Sequence, residues 1–170
     1  PKGKILSRTE YETGIDRPHS QFRQLNKNKR GNYLIPLIST SEVREISPSG
    51  KLINSFKVEG TPFTTLESTD GNYWIACGDG HTLIEVNPND GQIIRRYNEN
   101  DIKGVRLFFT AGLCKSADGN LYICNWQGHS HDANAANSPQ LFEINQKGEV
   151  IWSLNDNQTS GMISAVSTIN

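Results

Sequence analysis

The chain is predicted to be all-β: a β-propeller of four-stranded antiparallel blades, represented by about three blades plus a partial blade at each end. Three observations predict it. One pattern occurs three times, opening with Gly31-Asn32-Tyr33-Leu34-Ile35, Gly71-Asn72-Tyr73-Trp74-Ile75 and Gly119-Asn120-Leu121-Tyr122-Ile123. The spacing is 40 residues from Gly31 to Gly71 and 48 from Gly71 to Gly119, and a period of roughly 40–50 residues made of short strands is that of a propeller blade. No segment sustains a helical period, while Asp-Gly and related turn sequences punctuate the apolar runs, as tight hairpins needing positive φ require.

Each copy divides into four strands, a to d. Strand a reads Gln21-Phe22-Arg23-Gln24-Leu25, Pro62-Phe63-Thr64-Thr65-Leu66 and Thr110-Ala111-Gly112-Leu113-Cys114. A polar turn follows, then strand b as the Tyr/Leu/Ile/Trp run. Strand c is Val43-Arg44-Glu45-Ile46, Leu83-Ile84-Glu85-Val86 and Leu141-Phe142-Glu143-Ile144, with neighbouring side chains on opposite faces. A Pro/Asn/Gly turn leads to strand d: Lys51 to Phe56, Gln92 to Tyr97 and Glu149 to Leu154. The blades so defined span about 20–57, 61–98 and 109–155, within a single domain over 1–170. Gly3 to Arg8 matches the start of a strand d, and Met162 to Val166 a strand a, leaving partial blades at 1–12 and 161–170. Three blades cannot close a ring. The sequence, which begins at Pro1, therefore reads as a fragment of a propeller of six or more blades, completed by a missing segment or by another chain.

Bulk properties narrow the function. With 17 basic and 18 acidic residues among 170, no broad field favours nucleic acid or anionic lipid as a partner. No apolar stretch approaches the ~20 residues of a membrane span. Cys77 and Cys124 hold matching places in adjacent copies, expected to lie beyond the ~7 Å Cα limit of a disulfide. With Cys114 they are expected to be free, buried thiols that pack as small apolar side chains.

Strand alternation puts the a–b and c–d turns on one face of the disc and the b–c and d–a loops on the other. The first set is short and alike in every copy; the second varies. Strand c begins late in the third copy, 24 residues from Gly119 to Glu143 against 14 in the others, so one b–c loop carries an insertion. Variable loops on a rigid scaffold are where binding resides. All four histidines fall there: His19 in a d–a loop, His81 after Gly78-Asp79-Gly80, and His129 and His131 in the insertion with Trp126. Arg106 lies in an extended d–a loop and Arg23 on inner strand a; arginines near a channel mouth clamp carboxylate, sulfate or phosphate through paired N–H donors. The candidate ligand-binding set is thus His19, Arg23, Asp79, His81, Arg106, Trp126, His129 and His131. The His-x-His-Asp run has the donor types of a transition-metal site, but the histidines read first as surface or hydrogen-bonding residues and no metal is expected. Residues present in every copy read as scaffold: Glu45, Glu85 and Glu143 as partners of backbone or of a neighbouring blade, and Tyr33, Tyr73, Trp74 and Tyr122 as packing. No Gly-x-Ser-x-Gly, phosphate loop or HExxH occurs.

Leu141 to Trp152 resembles the tryptophan-bearing blade motif of the PQQ-like (quinoprotein-type) bacterial propellers, with Tyr97 and Phe56 near the Trp place in the other copies. Gly78-Asp79-Gly80-His81 and Ile123 to His129 are similar to stretches of members labelled putative surface layer proteins. The resemblance implies blades pinned by a stacked aromatic residue and an extracytoplasmic location, periplasmic or at the cell surface. Arylsulfotransferase-type relatives use a channel histidine as nucleophile, for which His81 and His129 are the candidates. The acidic metal set and quinone-stacking residues of true quinoprotein dehydrogenases are not recognisable, so no cofactor is expected and a quinone least of all. Two functions stay open. One is a non-catalytic propeller binding a small polar ligand or a protein partner through the b–c/d–a face. The other is a transferase, hydrolase or lyase acting on sugar or sulfate esters at the channel mouth.

Overall fold

A computed structural model of the chain describes residues 3–132 and 134–168. Among them, twelve strands form three four-stranded antiparallel sheets, each built from consecutive strands. The first sheet holds β1 (Asn26–Lys27), β2 (Tyr33–Leu37), β3 (Glu42–Ile46) and β4 (Leu52–Lys57). The second holds β5 (Thr64–Glu67), β6 (Tyr73–Ala76), β7 (Leu83–Val86) and β8 (Ile93–Tyr97). The third holds β9 (Thr110–Lys115), β10 (Leu121–Asn125), β11 (Leu141–Ile144) and β12 (Val150–Leu154). These are three propeller blades, packed face to face.

The strand alternation explains the packing. Tyr73 and Ile75 of β6 point back to Leu34, Val43 and Phe56 of the first sheet. Trp74 and Ala76 point forward to Leu113, Leu121, Ile123 and Phe142 of the third. The middle blade is buried on both faces, which is why β6 reads as an unbroken apolar run. Each large apolar side chain so buried contributes about 1.5–3 kcal/mol. Aromatic residues at the outer strands close the seams. Phe56 lies against the Gly91 turn of the second blade and Tyr97 against the Gly148 turn of the third; a Cβ at Gly91 would stand 2.8 Å from Phe56, and one at Gly148 would stand 1.9 Å from the Tyr97 hydroxyl. The counterpart Trp152 remains 45% exposed.

Several expected strands differ. Strand a of the first copy is only β1, after the expected Gln21–Leu25. Ile38 N–H still bonds Gln21 O at 2.9 Å, but Pro36, two residues earlier on the same side of β2, has no N–H to offer the facing stretch. Arg23 therefore sits in a loop, not on a strand. Gly3 to Arg8 forms no strand, although the adjoining Glu10 carbonyl sits where a Cβ on Gly50 would stand 2.5 Å away, the seat that Phe56 and Tyr97 occupy at the later seams. Met162 to Val166 lies alongside β9 without a ladder, so close that a Cβ at Gly112 would meet Ala165 Cα and Ser164 O at 2.8 Å. Pro1, Lys2, Ile169 and Asn170, included in the expected partial blades, lie outside the described residues. The three cysteines are free; Cys77 and Cys124 are buried, whereas Cys114 is only half-buried.

The recurring Gly-Asn and Glu residues form one device. The Asn after each turn glycine donates to the carboxylate of the third strand in its own blade: Asn32 to Glu45 at 2.6 Å, Asn72 to Glu85 at 3.4 Å and Asn120 to Glu143 at 2.9 Å. Glu45 also accepts from Asn28 (2.8 Å), Arg30 (2.9 Å) and, across the seam, the Tyr73 hydroxyl (3.0 Å). Glu85 has no such partners, because Ser68, Asp70 and Leu121 stand at the places of Asn28, Arg30 and Tyr73; Arg95 Nε is 3.6 Å away. The consequences are opposite. Burial alone would raise the Glu45 carboxyl, but hydrogen bonds from Asn32, Asn28 and Tyr73 and the Arg30 charge outweigh it and hold it below the ordinary value. Burial pushes Glu85 up, against weak help from Asn72 and Arg95, and the Asp70 charge adds to the rise.

These directions fix the signs of stability. Ionised Glu45 stabilises the fold above the ordinary carboxylate range, and this is lost as pH falls through its lowered pKa. Ionised Glu85 costs stability once pH rises past the ordinary Glu value, reaching its full cost above its raised pKa. At pH 7, Glu45→Gln is expected to cost about 1–3 kcal/mol in urea unfolding and to flatten the loss of stability on acidification. Glu85→Gln is expected to leave the midpoint unchanged or raise it.

Candidate functional site

The b–c and d–a loops meet at one end of the three sheets, as strand alternation requires. A cavity of about 620 Å³ opens there at the inner ends of the blades. One side is aromatic. Phe109, just before β9, stands edge-on to Phe63 (4.9 Å), Trp126 (5.2 Å) and His129 (5.3 Å), and Trp126 stands edge-on to His129 at 4.6 Å. Such T-shaped contacts favour ring edges against ring faces. Trp126 is held by its own N–H, which bonds Phe109 O at 2.9 Å, and by Gly128, whose lack of a side chain lets the indole fold back over it. The lining also includes His19, Ser20 and Arg23 from the segment before β1, Ser39 from the β2–β3 turn and Ser164 from the C-terminal segment. Arg23 Nη2 donates to His19 O at 2.8 Å, fixing the loop while leaving the guanidinium exposed. His129 Nδ1 lies 2.8 Å from Asp79 Oδ1, a contact between the b–c loops of adjacent blades.

Of the eight candidate residues, His19, Arg23, Asp79, Trp126 and His129 line this cavity. The other three stand outside it. The His81 backbone is in the left-handed region (φ +52°), and its Nδ1 is engaged with Phe108 O. Arg106 pairs with Glu99 at 2.7 Å and with Asp132. His131 is exposed on the insertion, two residues before Ala133, which lies outside the described residues. The Asn134 N–H and then Arg106 hold the Asp132 carboxyl below its ordinary value, and Glu99 and Asp132 hold Arg106 above its own. This cluster ties the long d–a loop to the insertion. Among the described residues no three of His, Cys, Asp or Glu gather as a metal site.

The sequence reading missed Asn125, which builds the rim. Fully buried at the end of β10, it accepts Phe108 N–H at 2.8 Å and donates to Arg106 O (2.8 Å) and Pro139 O (3.0 Å). One amide thus staples both long loops. Leu37 and Cys77 occupy its place in the other copies, so its presence in a single copy was the available signal. Phe63 and Phe109 were also passed over; each is the aromatic residue immediately before a first strand.

Residues 3–149 match the Mal s 1 allergenic protein-like family. The chain belongs to that family. This corrects the expected kinship with PQQ-like propellers. The same correction follows from a Bacteroides caccae protein of unknown function, 55% identical over 98% of this chain with a TM-score of 0.84. At Phe56 and Tyr97 the motif behind the resemblance seats an aromatic ring on the next blade's turn, a packing device that reports architecture and not descent. The extracytoplasmic location rested on that resemblance alone and loses its footing. The chain spans 61% of the Bacteroides protein. Virginiamycin B lyase from Staphylococcus aureus is 12% identical, with a TM-score of 0.64 over 90% of this chain and 47% of its own. Its catalytically inactive form with quinupristin is 13% identical, with a TM-score of 0.64 over 92% and 48%. Like these lyases, this Mal s 1-like protein has the propeller fold; the likeness extends no further. No curated protein matches the chain in sequence.

A Cβ at Gly128 would stand 2.0 Å from Trp126 Cζ2. Gly128→Ala is therefore expected to expel the indole from the wall, changing the tryptophan emission; the change should vanish in a Trp126→Phe background. Burial raises the Cys77 and Cys124 thiols to about 11 and about 12. At pH 8 only half-buried Cys114 is expected to react with a thiol reagent, the other two following on unfolding.

Proposed function

We propose that this protein is a non-catalytic propeller that binds a small ligand in the rim cavity. The ligand would have a flat or apolar face and a polar, anionic edge. The observation that carries the reading is the mixed lining of one cavity: interlocked Phe63, Phe109 and Trp126 together with Arg23 and His19. Stacking surfaces suit sugar rings, aromatic rings and apolar peptide faces. An exposed guanidinium suits a carboxylate, sulfate or phosphate. At about 620 Å³ the cavity has the size of small-molecule sites, and its concavity favours a small ligand over the flat face of a protein partner. A search of acidic sugars, aromatic carboxylates and short acidic peptides by calorimetry tests this. Trp126→Ala and Arg23→Ala are each expected to weaken the binder about tenfold or more, while His131→Ala leaves it unchanged. Binding insensitive to both Trp126 and Arg23 would place the ligand elsewhere.

One contact favours the enzymatic alternative. With Nδ1 engaged by Asp79, His129 keeps Nε2 free on an oriented ring, the arrangement of a general base. If the site acts on sugar or sulfate esters, His129→Gln and Asp79→Asn would abolish or lower turnover while sparing affinity. If it only binds, neither variant separates the two quantities because no turnover exists.

A further inference from the structure

At the opposite end of the sheets, the seams between blades are not equivalent. Between the first and second blades, the Glu45 carboxylate is enclosed by Asn28, Asn32, the Arg30 guanidinium and the Tyr73 hydroxyl. Between the second and third, the matching place is a cavity of about 290 Å³. It exists because Leu121 replaces the tyrosine and Asp70 replaces the arginine. Glu85 lines it with 4% of its surface exposed. One Glu85 oxygen accepts a long bond from Asn72 at 3.4 Å. Among the described residues the other oxygen accepts none: Arg95 Nε stops 3.6 Å away, and Arg95 Nη1 is committed to Gln146 O at 2.7 Å. Arg95 is thus the one guanidinium lining the cavity beside two carboxylates: Glu85, buried with one oxygen accepting no bond, and Asp70, exposed and bonded by Ser68 and Asn72. Buried charges require pairing. The sister seam shows what completes such a carboxylate in this fold: a cation bearing planar N–H donors.

We propose that this seam is a second binding site, independent of the rim cavity, for a small organic cation with N–H donors, an ammonium or guanidinium group. Its N–H bonds would go to Glu85 Oε2, in the role that Arg30 has at Glu45, while Asp70 balances the remaining charge and Trp74 walls the cavity. The donor requirement separates this occupant from a simple metal ion. A Tyr at position 121 would refill the place from within, as Tyr73 does at the first seam.

Calorimetric titration of the chain with methylammonium and methylguanidinium chloride tests this, with tetramethylammonium and potassium chloride as controls. Saturable binding of at least one N–H-bearing cation is expected, weakened about tenfold or more in Glu85→Gln and lost in Leu121→Tyr. Arg23→Ala, at the other end of the molecule, should leave it unchanged. Circular dichroism melting of each variant confirms that the fold persists. Three results would overturn the assignment: no saturable binding, as for a cavity holding water alone; equal binding of tetramethylammonium or potassium; or binding indifferent to both Glu85→Gln and Leu121→Tyr.

Discussion

A carboxylate buried at the seam and held by the asparagine of a turn two strands earlier is the constraint on which these blades depend. A charge at that depth is tolerable only when hydrogen-bonded. Satisfying it therefore fixes the first hairpin turn relative to the third strand in each sheet. The Asn32–Glu45 and Asn120–Glu143 contacts make this lock, and the longer Asn72–Glu85 contact is its weakest copy. Where the next blade adds Tyr73, the lock also joins sheet to sheet. This end of the molecule is consequently repetitive, and its turns are short in every copy.

The opposite end is released from that constraint and differs in each blade. Its order comes from unique residues: Asn125 stapling two loops, Arg106 bridging Glu99 and Asp132, and Asp79 meeting His129 across the blade boundary. The wall of aromatic rings forms because Phe109 and Phe63 enter the inner strands side by side and Trp126 folds over a residue without a side chain. The repeated carboxylate device and the candidate rim site are thereby divided between the two ends of the same strands.

Much of this division could be read from the repeat. Period-two alternation and glycine turns located the strands, because both report backbone geometry directly. The rule that unique residues serve the site led to Trp126 and the insertion, but it favoured His131, which stands outside the cavity, over His129, which shares its place in the repeat with His81 and lines the cavity. It would also have led to Asn125, had position along the strand been weighed as well as chemical type. The first strand of the first blade was misplaced because a ladder depends on its partner, and Pro36 lies on the partner. His81 looked equivalent to His129 in sequence, yet its left-handed backbone turns the ring toward Phe108. Which loops converge is decided by contacts across blades, and no local pattern encodes those. The PQQ-like resemblance failed for a related reason: an aromatic residue seated on a glycine turn solves a general packing problem and is open to unrelated sequences.

The Gln24 side chain donates to Ser164 O at 2.7 Å, joining the segment before the first blade's strands to the C-terminal segment at the rim cavity across 140 residues of chain. Each blade is assembled from neighbouring hairpins and can form early, since closing short loops is fast and entropically cheap. That bridge waits until three blades have docked in order. The chamber is thus complete only when the first blade and the C-terminal segment beside the third are both in place. Its presence certifies that the molecule upstream of it has been correctly put together.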